Sequence, residues 1–262
     1  MAVAHFEGMD RPAETYEVRT IGTADLRDAL RQGWADLLEW RGDLIFVGII
    51  YPAVGLIAAI VALQGSLIPF FFPLAAGISL LGPAVAIGFY ELARRREQGL
   101  PSDWSHFFGF ATRPALDSIS VVVGLLLAVF LAWLAVAAGL YFGLMGTEPL
   151  TLGAFVTQLF TTPQGWALIV VGNLAGLFFA IAVLTLSVVS MPMLVDRDVD
   201  ARTAIDTSIR AVAANKGVML RWGLIVAALL VLGSIPLFVG LAVVLPVLGY
   251  ATWHLYTRLV VR

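Results

Sequence analysis

Six long apolar segments divide this chain, and each is long enough to cross a lipid bilayer as a helix. We place them at residues 44–63, 67–93, 119–142, 166–194, 218–235 and 237–256. A spanning helix needs about 20 apolar residues to cross about 30 Å of hydrocarbon. The chain is 60% hydrophobic and 13% charged, whereas a soluble domain has roughly 45–50% apolar and about 25% charged residues. The sequence therefore predicts an all-α, polytopic membrane protein with six transmembrane helices.

The basic residues all fall on one side of this series of segments. They precede the first segment, lie between the second and third, lie between the fourth and fifth, and follow the last. They are Arg11, Arg19, Arg27, Arg31, Arg41, Arg94, Arg95, Arg96, Arg113, Arg197, Arg202, Arg210, Lys216, Arg221, Arg258 and Arg262. Because Lys and Arg are retained on the cytoplasmic side during insertion, this alternation predicts that both termini are cytoplasmic.

Residues 1–22 are polar, and we interpret them as a cytoplasmic tail ahead of a single integral membrane domain at residues 23–262. The tail has no apolar core, so we expect no cleavable signal peptide. A net charge of −2 gives no indication of nucleic-acid binding. The chain has no cysteine, which excludes disulfides, thiolate metal sites and a cysteine nucleophile.

Three cytoplasmic segments carry apolar residues at helical spacing: residues 23–40, 102–110 and 200–215. In the first, Leu26, Leu30 and Trp34 share one face, while Arg27 and Arg31 lie on the other. Such segments are expected to be amphipathic helices in the cytoplasmic interface, with the apolar face toward the membrane. Packing against the bundle as ordinary cytoplasmic helices is an equally open alternative.

Two motifs resemble a known family. Residues 81–99 read LGPAVAIGFYELARRREQG, and residues 190–198 read SMPMLVDRD, followed by Ser208 and Asn215. These stretches resemble a predicted bacterial integral membrane protein family, and the resemblance covers most of residues 20–260. It implies a bundle of helices in a bacterial inner membrane. That family is a domain of unknown function, so the resemblance implies no activity, cofactor or catalytic residue.

Glu91 is the ionisable residue that stands out, at the cytoplasmic end of the second segment. On a helix it lies three or four residues before Arg94 and Arg95, the spacing of an ion pair, and we favour that interpretation. A proton-binding or ion-binding carboxylate in a cytoplasmic vestibule is the alternative. Arg94, Arg95 and Arg96 are also candidate contacts for anionic lipid headgroups, although their role as a topology signal already explains them.

Asn173 is a strongly polar residue well inside the fourth segment, flanked by Gly172 and Gly176. The third segment repeats the glycine spacing at Gly139 and Gly143. Gly-x-x-x-Gly lets helices approach closely, and a buried Asn can hydrogen-bond across such a contact. We therefore predict a close crossing of the third and fourth segments at these residues. A substrate site at Asn173 is the alternative.

The histidines give little support for a haem protein. A bis-histidine haem needs two histidines on facing spans, and of His5, His106 and His254 only the last lies near a span. We interpret His254 as an interfacial residue beside Trp253 and Tyr256, in the aromatic belt expected there.

Packing features outnumber chemical groups, so we predict no enzyme, no cofactor and no metal site. The favoured hypothesis is a non-enzymatic integral membrane component, an accessory or assembly subunit or a lipid-organising protein. Its partners would be membrane lipids and other integral membrane subunits or a second copy of itself. The alternative is a small transporter or channel with a polar path near Asn173 and Glu91. A third hypothesis, an enzyme acting on lipid, has only His106, Asp103, Glu91 and His254 as candidates.

Overall fold

The computed structural model describes residues 15–39, 73, 80–147, 151–236 and 238–262, with Trp104 described by its backbone alone. The predicted first segment, residues 44–63, lies outside the described residues, as do residues 67–72 and 74–79 of the second, residues 67–93.

Within the described residues the chain is helical apart from turns and one isolated β-bridge. The α-helices are α1 (Thr23–Glu39), α2 (Gly82–Val85), α3 (Ile87–Glu97), α4 (Leu116–Met145), α5 (Leu152–Thr161), α6 (Pro163–Ser187), α7 (Ser190–Asp196), α8 (Ala201–Ala214), α9 (Lys216–Ser234) and α10 (Leu241–Leu259).

Three helical runs are long and apolar enough to cross a membrane. They are α4, the continuous run Pro163–Asp196 made by α6 and α7, and α9, and they coincide with the predicted third, fourth and fifth segments. The predicted sixth segment is also helical, as α10. It is not among the helices apolar enough to cross a membrane, because its last turns carry the polar residues His254 and Arg258. The six-span architecture therefore stays a prediction.

The predicted short helix at residues 102–110 was wrong in detail. The chain there forms two 3-10 turns, Trp104–His106 and Gly109–Thr112. The Asp103 carboxylate accepts a hydrogen bond from the backbone N–H of Ser105 at 3.0 Å, and such local bonds compete with an α-helix. The loop predicted between the third and fourth segments contains the helix α5, which Thr151 caps by accepting a hydrogen bond from the Ala154 N–H.

Helix α1 packs along α10. Leu26 and Ala29 are buried there, and a Cβ at Gly33 would lie 2.7 Å from the Ala251 nitrogen. Only a glycine therefore permits this approach of the two backbones. The helix thus packs against the bundle, which was the alternative left open, while Trp34 remains exposed on its other side.

Helix α8 packs through small residues rather than through its larger apolar ones. Ala204, Ser208 and Ala211 are fully buried, whereas Ile209 is 43% exposed. The reason is a polar bridge: the Ser208 hydroxyl donates to the Thr185 carbonyl at 2.7 Å and accepts from the backbone N–H of Val189, between α6 and α7, at 3.2 Å. The small face allows this close approach.

The core lies at one end of the helices. There α7 is buried almost entirely, and α9 and α10 bury Trp222 and Trp253. Away from that end the spans are exposed: in their most apolar windows only 22%, 6% and 17% of the residues are buried for α4, α6–α7 and α9. One end of the bundle is therefore packed, whereas the other exposes apolar side chains.

Candidate functional site

A charged layer covers the packed end of the bundle. We define the charged layer as residues 15–39, 91–113, 196–221 and 253–262. Every ion pair among the described residues lies within it. Acidic and basic side chains from distant parts of the sequence meet here, so this layer is where the chain concentrates its chemical groups.

Glu91 lies at the centre of one cluster of this layer and is 1% exposed. Its carboxylate accepts from Arg94 Nη2 at 2.7 Å and Nε at 3.1 Å, and from Arg113 Nη1 at 3.2 Å. Arg95 Nη1 lies 3.6 Å from Oε1. The structure confirms the ion pair that the helical spacing predicted. Sequence reasoning missed Arg113, which reaches Glu91 from the turn before α4.

Neighbouring side-chain and backbone groups hold the arginines of this Glu91 cluster in place. Arg94 also donates to the Gln98 side chain at 2.6 Å, and Arg95 Nε donates to the Pro101 carbonyl at 2.7 Å. The second 3-10 turn closes over the carboxylate, since a Cβ at Gly109 would lie 3.2 Å from Glu91 Oε1. A larger residue at position 109 would have to displace the carboxylate.

Arg96 belongs to a different cluster. It pairs with Asp36 and Glu39 of α1, and His254 Nε2 lies 2.7 Å from Asp36 Oδ2. The three arginines named as candidate lipid contacts are thus divided between two sites. His254, interpreted from the sequence as an interfacial residue, is joined to α1 through this carboxylate.

A third cluster connects the end of α7 to the chain's last residues. The Tyr256 hydroxyl donates to Asp196 Oδ2 at 2.8 Å, and Arg262 Nη1 donates to Glu97 at 2.6 Å. The Arg262 guanidinium also lies over the Trp253 ring, 5.1 Å from its centroid. These contacts hold three helices together at one point.

The N-terminal segment is bound to the C-terminal one. Val18 and Val260 form an antiparallel bridge, and Arg19 N–H donates to the Leu259 carbonyl at 2.8 Å. The buried Asn215 side chain accepts from the Ile21 N–H at 2.8 Å and donates to the Arg19 carbonyl at 3.0 Å. Both described ends of the chain therefore lie at the same end of the bundle; that this end is cytoplasmic stays a prediction.

Asn173 does not lie in a helix contact. Its side chain is exposed, and its Nδ2 donates to the Ile169 carbonyl of its own helix at 2.7 Å. The predicted hydrogen bond across α4 and α6 is therefore wrong among the described residues, because the carboxamide lies on the outer surface of α6.

The glycines predicted to form that crossing do not bring the backbones together either. Among the described residues, a Cβ added at Gly139, Gly143 or Gly172 would meet nothing within 4 Å, and one at Gly176 would meet the Trp133 ring at 3.5 Å. Helices α4 and α6 do pack on each other. They do so through Trp133, whose ring lies edge-on to Phe179 at 5.7 Å. A bulky aromatic contact therefore replaces the predicted small-residue one.

The described residues contain no group of three or more His, Asp or Glu side chains placed to hold a metal ion. Residues 71–196 match the model of a family whose description is "Predicted integral membrane protein (DUF2189)". The match confirms the resemblance over residues 71–196, and its extension to the rest of residues 20–260 stays a prediction. The DUF2189 family is of unknown function, and the matched stretch contains both the Glu91 cluster and Asn173. Neither the curated proteins nor the solved structures give a match to this chain.

Proposed function

We propose that this protein is a non-enzymatic integral membrane component, an accessory or assembly subunit that packs with a partner helix in the bilayer through α6. We place it in a bacterial inner membrane with the charged layer on the cytoplasmic side. The observation that carries the proposal is a polar side chain, Asn173, standing in the middle of an exposed apolar face.

That α6 face is continuous and follows helical spacing. Its exposed members are Trp166, Val170, Leu174, Leu177, Phe178 and Ile181. They recur at intervals of one, three and four residues, which places them on one stripe of the helix. Hydrocarbon tails would solvate all of these side chains well, so the apolar residues alone do not call for a partner protein.

Asn173 changes that conclusion. The bond to Ile169 uses one of its N–H groups, and its carboxamide oxygen accepts no hydrogen bond among the described residues. A polar group exposed to hydrocarbon is costly, whereas an Asn between two membrane helices can hydrogen-bond across the contact. No described residue lies within 4 Å of a Cβ added at Gly172, which leaves room for a close helix. We therefore infer that the occupant is an apolar membrane-spanning helix with a hydrogen-bonding group facing Asn173.

Cysteine crosslinking tests this, because the chain has no cysteine of its own. We expect Leu174→Cys to crosslink to a neighbouring protein in native membranes and to lose that product when combined with Asn173→Leu. Leu131→Cys is the matched control, since Leu131 is exposed to a similar degree on α4, at 55% against 62%. Two differently tagged copies tell self-association from a distinct partner. Equal crosslinking at both positions, or none from α6, would contradict the proposal.

The alternative of a transporter or channel finds less support in the contacts. Glu91 is enclosed by three guanidiniums, and Asn173 lies on the outer surface of α6. The groups suggested for a polar path thus each have separate local surroundings. Uptake by proteoliposomes that is lost with Glu91→Gln would favour the alternative.

A further inference from the structure

The clusters of the charged layer differ in their balance of charge. In the third cluster, two carboxylates face the guanidiniums of Arg197 and Arg262. In the cluster around Asp36, two carboxylates face the single guanidinium of Arg96, beside the His254 imidazole. In the Glu91 cluster a single carboxylate faces three guanidiniums. That cluster therefore carries an excess of two positive charges.

This excess lies where solvent can only partly screen it. The side chains of Arg94, Arg95 and Arg113 are 12%, 19% and 21% exposed. Guanidiniums that are partly removed from water need an opposite charge or acceptors to offset the loss of hydration. Glu91 supplies one negative charge for the three, so the site has room for a second anion.

Unused hydrogen-bond donors accompany the excess charge. Each guanidinium carries five N–H groups, yet Arg113 donates a single hydrogen bond among the described residues, from Nη1 to Glu91. Arg95 donates one, to the Pro101 carbonyl. Several N–H groups thus remain for a ligand with more than one acceptor oxygen, which is the property of a phosphate.

The position of the cluster suits a ligand at the membrane boundary. Arg113 lies just before α4, a candidate span, and the arginines of α3 lie at that helix's end. Two exposed apolar side chains flank the site: Leu100, next to the carbonyl that Arg95 contacts, is 44% exposed, and Phe108, next to Gly109, is 65% exposed. Exposed apolar residues beside basic ones are typical of segments that touch the headgroup region of a bilayer.

We propose that Arg94, Arg95 and Arg113 form a binding site for a phosphate group that acts as a second counter-ion beside Glu91. The phosphate belongs to an anionic phospholipid headgroup or to a free phosphate ion. This goes beyond the helix contact proposed for α6, and it replaces the run Arg94–Arg96 with a set in which Arg113 takes the place of Arg96.

The test uses the full chain in an uncharged detergent, with binding followed by titration calorimetry. The probes are dihexanoyl phosphatidylglycerol, dihexanoyl phosphatidylcholine and inorganic phosphate. We expect saturable binding of phosphatidylglycerol or phosphate and weaker binding of the zwitterionic lipid. Arg113→Gln should weaken binding about fivefold, equivalent to about 1 kcal/mol for each basic residue near an anionic surface. Arg31→Gln is the control, because the Arg31 side chain is 75% exposed and pairs with Asp28 alone among the described residues.

The probes tell the two sources apart. Binding of inorganic phosphate as tight as that of phosphatidylglycerol identifies a free phosphate, and binding of phosphatidylglycerol alone identifies a lipid headgroup. If Arg113→Gln does not fold, Arg113→Lys keeps the charge and should keep most of the binding. No saturable binding of either anion by the wild-type chain, or equal losses in the Arg113 and Arg31 variants, would overturn the proposal. The Asn173→Leu variant should retain binding, so the two proposals fail separately.

Discussion

Helix α6 changes character along its length. In its first five turns Leu174 and Phe178 are 62% and 68% exposed, whereas near its end Val183 is buried and Ser187 is 1% exposed. Helix α9 follows the same course, with Trp222 buried near the charged layer and Val231 and Leu232 exposed toward its far end, whereas α4 keeps Trp133 and Tyr141 buried in its far half. Helices α6 and α9 thus pass from a packed, polar environment into an apolar exterior.

The difference between the two ends shows which of them specifies the fold. At the packed end, no buried side-chain nitrogen or oxygen among the described residues lacks a partner, and each pair requires a particular neighbour. At the other end, lipid tails are as apolar as the side chains, so burial there gives little drive for helices to associate. The charged layer therefore determines the arrangement of the helices, and lipid tails solvate the exposed apolar side chains at the other end.

The largest expected effect comes from removing the buried carboxylate. Glu91→Ala leaves three guanidiniums without their shared partner, and breaking a buried ion pair costs about 3–5 kcal/mol. Glu39→Ala should cost about 1 kcal/mol or less, since the Glu39 side chain is 57% exposed and surface ion pairs are weak. The free energy of unfolding measured with denaturant in detergent micelles compares the two. Similar losses in both variants would show that burial does not set the strength of these pairs.

A second comparison removes apolar side chains from the two ends. Met193→Ala should cost about 2–5 kcal/mol, because Met193 is fully buried and its removal leaves a cavity. Phe178→Ala should change the free energy of unfolding by about 0.5 kcal/mol or less, since an exposed position away from special features tolerates substitution. Thermal unfolding in lipid nanodiscs measures both. A large loss for Phe178→Ala would mean that this face is covered within the protein itself.

Two glycine substitutions test the same difference between the packed and the exposed end. Gly33→Ala would place a Cβ 2.7 Å from the Val247 carbonyl, so α1 and α10 must separate at an expected cost of about 1–3 kcal/mol. No described residue lies within 4 Å of a Cβ added at Gly172, so Gly172→Ala should stabilise the helix by about 0.5–1 kcal/mol. Protease resistance of α1 in the purified protein reports the first effect, and the unfolding midpoint reports the second. Opposite signs for the two variants are the required result.

The smallest effect is a helix cap with a pH dependence. Asp200 caps α8 by accepting hydrogen bonds from the N–H and hydroxyl of Thr203 at 2.8 Å and 2.7 Å. Burial acts to raise the pKa of Asp200, but these hydrogen bonds outweigh it and lower the pKa below the usual 3.8. Asp200→Ala should therefore cost about 1 kcal/mol at neutral pH.

The sign of the pH dependence follows from that lowered pKa. The stabilisation from the ionised cap is complete above pH 3.8 and is lost as the pH falls through the pKa of the folded protein. Asp200→Asn keeps an acceptor oxygen without the charge. Unfolding midpoints of the wild type and Asp200→Asn should therefore converge on acidification, and a gap that widens at low pH would contradict this account.

Local patterns predicted the parts of the structure that depend on neighbours in sequence. Three apolar runs became helices of spanning length, and the predicted helix at residues 23–40 is observed as Thr23–Glu39. The Glu91–Arg94 pair also followed from its spacing. In each case a residue and its partner lie within one turn or one helix, so helical periodicity is sufficient to relate them.

The contacts that complete the site lie beyond the reach of such patterns. Arg113 reaches Glu91 from 22 residues away, and His254 reaches Asp36 from 218 residues away. Which helix faces another depends on packing of the whole bundle, and charge spacing along one helix contains no information about it. The same reason explains why the prediction for Asn173 was wrong. Its glycine neighbours indicated a contact face, but α4 contacts α6 through the aromatic ring of Trp133.

The bridge between Val18 and Val260 has a consequence for the order of biogenesis. Glu17 and Arg19 are synthesised early. Their backbone hydrogen-bond partners, Val261 and Leu259, leave the ribosome only after α9 and most of α10. Until then, Asp36 also lacks His254. The membrane helices can therefore be inserted one after another while the charged layer is still open. Its closure requires residues 254–261, which are synthesised after α1–α9.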